Sequence, residues 1–277
     1  MSGALGTLLL GLLAVVSTLS AGLEAGSLAS VMPRRTWIWL LIANLVLVPL
    51  MALAALTLLD LPPAVATGLL LAAAIPGGSS GPLVAAIARR EPGPAPAALF
   101  VVLALVSGAL VPVLSGLAGL ALDLGALVGL LVVQLVPWAI GAWLRRARPA
   151  LARRWVRPLQ RLGTALLVAL VIALIISEGG AIGIVGWPAL GAAALIMSAT
   201  AALFLLPPGR AMVPDPAALG PALASISLVR NLTLALLVAA AASTPAATSL
   251  AILVFGIAMF VIAIGLAYAA RRAHYGS

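Results

Sequence analysis

Five polar side chains fall within nine residues of an otherwise apolar stretch running from about 216 to 242: Ser225, Ser227, Arg230, Asn231 and Thr233. Arg230 lies near the middle of it. A guanidinium stays protonated under essentially all conditions, so it cannot relieve its burial by neutralising. At the centre of a bilayer such a charge costs roughly 2.5 to 3.5 kcal/mol on insertion scales, and it needs partners. All six acids, Glu24, Asp60, Glu91, Asp123, Glu178 and Asp215, sit in loops or at the ends of apolar segments. What remains is backbone carbonyls at the ends of half-helices, hydroxyl and amide oxygens, or an anion from outside the protein. The last of these is the chemistry of interest: Arg230 holds an anionic substrate or stands where a cation would bind. The competing reading is an arginine that snorkels to an interface.

A second feature answers the first. Residues 76 to 82 read Pro-Gly-Gly-Ser-Ser-Gly-Pro inside an apolar stretch from about 63 to 90. Proline lacks the amide donor and glycine loses the most entropy on ordering, so a continuous helix cannot pass through Pro76, Gly77, Gly78, Gly81 and Pro82. Backbone freed at membrane depth is tolerated only where protein or a water-filled cavity surrounds it. Broken helices of this kind build substrate sites in secondary transporters. Ser79 and Ser80 serve either to satisfy the freed backbone or to meet substrate.

The elements that position these residues are membrane spans. The chain is 64% hydrophobic and 8% charged, against roughly 25% charged residues in a soluble domain. Its +9 charge comes from fifteen arginines without a lysine, placed between apolar segments, so membrane topology explains the charge better than nucleic-acid binding. It has no cysteine, which excludes disulfides and thiolate metal sites. At about 20 apolar residues per crossing, nine spans are expected, near 4–22, 36–58, 63–90, 95–119, 124–144, 162–178, 182–206, 216–242 and 246–270. The first stretch lacks a basic n-region and reads as a span rather than a signal peptide.

Charge orients them. Arginine pairs follow spans one, three and nine, seven arginines lie from Arg145 to Arg161, and Arg210 follows span seven, all on one side. The opposite loops carry only Asp60, Asp123 and Glu178. The positive-inside rule then places the chain in the plasma (inner) membrane with the N-terminus outside and the C-terminus in the cytoplasm. Trp37, Trp39, Trp143 and Trp155 read as interfacial anchors, whereas Trp138 and Trp187 read as core packing. The two interrupted spans, three and eight, are five apart and so run in opposite directions. That predicts an all-α membrane protein built as an inverted five-helix repeat lacking its first helix, with the two discontinuous helices crossing. Residues 4–144 form the first repeat, 145–161 a basic cytoplasmic linker and 162–270 the second repeat.

The motifs resemble the bile acid:sodium symporter family over essentially the whole chain. The resemblance rests on Ile-Pro-Gly-Gly-Ser-Ser-Gly in span three, the Val-Pro-Val-Leu ending of span four, Arg-Asn-Leu-Thr-Leu-Ala-Leu in span eight, and Asn44 placed five residues before Pro49. It implies a panel domain, a core domain in which the broken helices cross, and movement of organic anions. It also implies a substrate site drawn from Asn44, Gly78, Ser79, Ser80, Arg230, Asn231 and Thr233, and a cation region near Ser107, Ser225, Ser227 and Arg230. Sodium-coupled members carry Ser-Asn where this chain has Gly81 and Pro82, a glutamate where it has Ile226, hydroxyls where it has Ala104 and Gly108, and glutamine where it has Arg230. Hard cations need a cage of oxygens, and most of that cage is missing. No cofactor is expected, and the departures argue against sodium as the coupling ion.

The expected function is therefore a secondary transporter of small organic anions, with Arg230 as a fixed cation and the bilayer and the anion as its partners. A sodium-coupled symporter or a non-transporting receptor or assembly subunit of the same fold is the alternative. Relatives that carry arsenite depend on a cysteine that is absent here. Asn44 and Gln134, lone amides, otherwise read as hydrogen-bonding residues between helices. Paired intramembrane aspartates and zinc or serine nucleophile motifs are missing, so an enzyme is not expected. His274 lies in the polar tail.

Overall fold

The computed structural model describes residues 4–24, 32–78, 80–88, 94–178, 182–213 and 219–275. These residues are almost entirely helical and include no strand. Helix α1 (Ala4–Glu24) precedes α2 (Arg34–Ile42), which passes through a π-helical turn (Ala43–Leu47) into α3 (Val48–Leu58). Then come α4 (Pro63–Ala74), α5 (Gly81–Ala88), α6 (Pro94–Ala109), α7 (Val111–Leu117), α8 (Leu124–Ala147) and α9 (Pro149–Glu178). The chain continues through α10 (Ile182–Leu205), α11 (Pro207–Ala211), α12 (Gly220–Leu228), α13 (Leu232–Ala241) and α14 (Ala246–Tyr275).

Among the described residues, four segments are long and apolar enough to cross a membrane: Arg34–Leu58, Leu124–Ala147, Val185–Leu205 and Ala246–Arg272. Their outward faces are what lipid demands. On α8, Val128, Val132, Val136 and Ile140 recur every fourth residue and are exposed, while Leu130, Gln134, Pro137 and Gly141 on the opposite face are buried. A soluble protein rarely leaves such a stripe uncovered. The shorter apolar helices Pro63–Ala74 and Leu232–Ala241 are each too short to span alone, and each ends at or starts from a break in the chain.

Two helical groups pack side by side. One is α1, α8 and α9. Gly22 and Gly141 bring α1 and α8 into backbone contact, since a Cβ on Gly22 would stand 2.1 Å from the Trp138 carbonyl oxygen. Small residues allow this approach, which replaces the hydrophobic drive that lipid removes. The other group surrounds α14, which packs on α4, α5, α10, α12 and α13.

Local structure departs from the sequence reading in places. The 145–161 stretch, read from the sequence as a basic linker, is helical: α8 runs to Ala147, and α9 begins at Pro149. Arginine is a good helix former and proline fits the first helical position, where its missing donor is not needed. Only Arg148 leaves the helix, at φ −142, ψ 71, as the residue before a proline tends to do. Trp187 is 83% exposed instead of packed, because Gly186 (φ 46, ψ −166) kinks the start of α10 just before it. The fourth apolar stretch breaks at Leu110, between α6 and α7, just before Pro112. Near Asn44 the helix widens into the π turn, two residues ahead of Pro49, whose missing amide removes a regular helical bond.

Candidate functional site

The two broken segments meet. Helix α4 ends at Ala74 and leaves Ile75 extended, and α12 ends at Leu228 and leaves Val229 extended. The stubs pair antiparallel, Pro76 against Arg230. Gly78 N–H donates to the Val229 carbonyl (3.2 Å), and Asn231 N–H donates to the Ile75 carbonyl (2.8 Å). The Arg230 amide donates to Sδ of Met259 on α14, at 3.0 Å. Several backbone groups freed by the two breaks are thus satisfied within the protein, the condition for unwinding a helix at membrane depth. Gly77 adopts φ +82, and a Cβ at Gly78 would lie 2.3 Å from the Arg230 carbonyl oxygen. Only glycine fits either place. Helix α5 resumes at Gly81, whose amide donates to the Gly78 carbonyl (2.9 Å). Asn231 caps α13 by accepting from Leu234 N–H at 3.1 Å.

Arg230 is 1% exposed. None of its three side-chain nitrogens has a hydrogen-bond partner among the described residues. A buried charge without partners is costly enough to require an explanation. Arg230 is one of the residues that line an open crevice of about 260 Å³ between the two helical groups, with its guanidinium nitrogens buried behind the wall. Gly78, Ser80, Asn231 and Thr233 share its wall with Met259 and Phe260. Opposite stand Leu13, Ser17 and Ser20 of α1, and Leu159, Gln160, Gly163, Thr164 and Leu167 of α9. The lining is mostly apolar, carries hydroxyls and amides, and contains no carboxylate among the described residues.

The structure sorts the expected site residues. Gly78, Ser80, Arg230, Asn231 and Thr233 come together on the crevice. Ser79 lies outside the described residues. Asn44 does not reach the crevice: its Nδ2 donates to the Leu40 carbonyl (2.8 Å) and to Ser227 Oγ (3.1 Å), tying the π turn to α12. Ser225 Oγ donates to the Pro221 carbonyl (2.8 Å) and Ser107 Oγ to the Ala104 carbonyl (3.1 Å), so both hydroxyls are engaged within their own helices. Neither they nor Ser227 lines the crevice. Gln134 donates to the Ala104 carbonyl at 3.4 Å, joining α8 to α6.

Sequence reasoning missed the opposite wall. Ser17, Ser20, Gln160 and Thr164 belong to helices without breaks, and no buried charge drew attention to them. A signal was present: Gln160, Gly163, Thr164 and Leu167 recur at three- and four-residue spacing, which places them on one helical face. No model of a known protein family matches the chain, and no curated protein resembles it significantly.

Proposed function

We propose that this protein is a secondary transporter of small organic anions, with the anion bound between Arg230 and the α1/α9 wall. The observation that carries the reading is a buried guanidinium without a partner, on a residue of a crevice that has no acid among the described residues of its lining. An anion that the guanidinium turns to meet gains a charge-assisted hydrogen bond in a desolvated setting, worth about twice a neutral one. A cavity of about 260 Å³ is at the small end of ligand sites, roughly 300–1,000 Å³, and favours a compact keto or hydroxy acid over a bulky steroid.

The wider architecture fits this reading. The crossed half-helices and the resemblance to bile acid:sodium symporters support a nine-span inverted repeat, with α1, α8 and α9 as the panel and the remainder as the core. Alternating access is then rocking of one group against the other about the crossing. Charge segregation puts the C-terminal end of α1 and the arginine-rich start of α9 on the cytoplasmic side of the plasma (inner) membrane, so the crevice faces inward. Arg230 replaces a mobile cation with a fixed one, and sodium is not required. A negative-inside potential favours exit of an uncoupled anion by about 2.3 kcal/mol per charge per 100 mV.

The test is flux into proteoliposomes. Uptake of small 2-keto and 2-hydroxy acids should proceed without a sodium gradient, and Arg230→Gln should reduce it at least tenfold. Strict sodium dependence removes the fixed-cation mechanism, and wild-type flux in Arg230→Gln removes the site.

A further inference from the structure

One acid touches the crevice indirectly. Glu24 closes α1, two residues past the predicted 4–22 span, and is half-buried. Its Oε1 accepts a hydrogen bond from Nε2 of Gln160, a residue of the crevice wall. Burial pushes the Glu24 carboxyl up to about 7, against the opposing effects of the Gln160 hydrogen bond and the Arg145 charge. Helices α8, α9, α13 and α6 pack on α1. Their charged residues are Arg145 and Arg146 on α8, and Arg153, Arg154, Arg157, Arg161 and Glu178 on α9, with none on α6 or α13. Of these, Arg145 acts on the Glu24 carboxyl, and Arg146, Arg153, Arg154, Arg157 and Arg161 are exposed.

An ionised carboxylate can only accept, so it holds the NH2 end of the Gln160 amide and leaves the carbonyl end for the crevice. A protonated carboxyl can donate its O–H to that carbonyl instead. A half-turn about the Cγ–Cδ bond of Gln160 then offers NH2 to the crevice. An anion is repelled by the first arrangement and bonded by the second.

We propose that Glu24 is a proton-binding residue that sets which end of the Gln160 amide faces the crevice, so that a proton and an anion are bound together. The proton comes from the aqueous phase and no covalent bond to carbon changes. Thermodynamic linkage makes the effect reciprocal: a bound anion tightens the proton by the same factor that the proton tightens the anion. One anion moving with one proton is electroneutral, so a pH gradient rather than the membrane potential drives the cycle. The inference rests on the crevice being an anion site, and Glu24 and Gln160 are positioning residues within that reading.

The experiment uses the full chain in detergent and in proteoliposomes, with methanesulfonate, benzenesulfonate and taurocholate as probes, because sulfonates stay ionised throughout the range. From about pH 8.5 to about pH 5.5, wild-type affinity should rise about tenfold, within the usual size of coupling between sites. Glu24→Gln and Gln160→Leu should each flatten that profile, the first by removing the proton site and the second by removing the group it turns. Transport by Glu24→Gln should become sensitive to membrane potential where the wild type is not. A flat wild-type profile, or a slope that survives in both variants, overturns the proton coupling while leaving the anion site intact. Failure of every sulfonate to bind at either pH overturns both.

Discussion

The two walls of the crevice are made in different ways. The wall around Gly78 and Arg230 is a backbone construction, in which two interrupted helices satisfy each other's main chain and side chains have almost no latitude. The α1/α9 wall consists of unbroken helices that present Ser17, Ser20, Gln160 and Thr164 from regular turns. A wall held by main-chain pairing fixes position and charge but tolerates little change. A wall of side chains on intact helices can be altered residue by residue without disturbing the fold. In the proposed carrier, the first wall supplies the fixed charge and the second selects which anion is held.

The sharpest way to break this contrast is at Gly78. A methyl group there would collide with the Arg230 carbonyl at 2.3 Å, a backbone atom that cannot step aside. Gly78→Ala should destabilise the protein by about 3 kcal/mol or more, read as a large fall in melting temperature in detergent. A variant as stable as the wild type would show that the crossing is not the rigid element described.

Arg230 should show a trade between stability and binding. Arg230→Met removes an unpartnered buried charge and keeps most of the volume, so it should raise stability by about 1 to 3 kcal/mol. The same variant should lose all thermal stabilisation by anions. Destabilisation by Arg230→Met would mean that the guanidinium is held by a partner in the resting protein, and the anion site would lose its main support.

The smallest effects belong to the opposite wall. Thr164→Ala should change stability by less than about 0.5 kcal/mol, because Thr164 is exposed and, among the described residues, its hydroxyl bonds to the Gln160 carbonyl one turn back. Relative affinities among anions of different size should shift by a few fold, measured by competition binding. Stability losses comparable to Gly78→Ala would erase the distinction between the walls.

Much of the first wall was legible from the residues. Pro76 to Pro82 forbids a helix through local chemistry alone, and Arg230 declares itself by a charge that cannot be neutralised. Their meeting was an inference from topology, and the pairing of Pro76 with Arg230 gives it a direct form. The second wall was hidden because Gln160 and Thr164 look like ordinary polar residues on a helix next to a basic stretch. Asn44 was legible as an important amide but not as one turned toward Ser227 and away from the crevice. Glu24 read as a span-end acid, and only packing brought its carboxyl to Gln160.

By itself the sequence determined that the chain is helical and suited to a bilayer, where two of its helices must stop, and that one fixed positive charge lies between them. Those properties follow from composition, backbone donors and a side chain that does not titrate, all of which are local. Tertiary structure decided which hydroxyls face the crevice, which are spent on their own helices, and which acid bonds to a residue of its wall. Such outcomes depend on how helices distant in sequence turn toward one another. Helical periodicity fixes the faces of each helix but not the neighbour that each face meets.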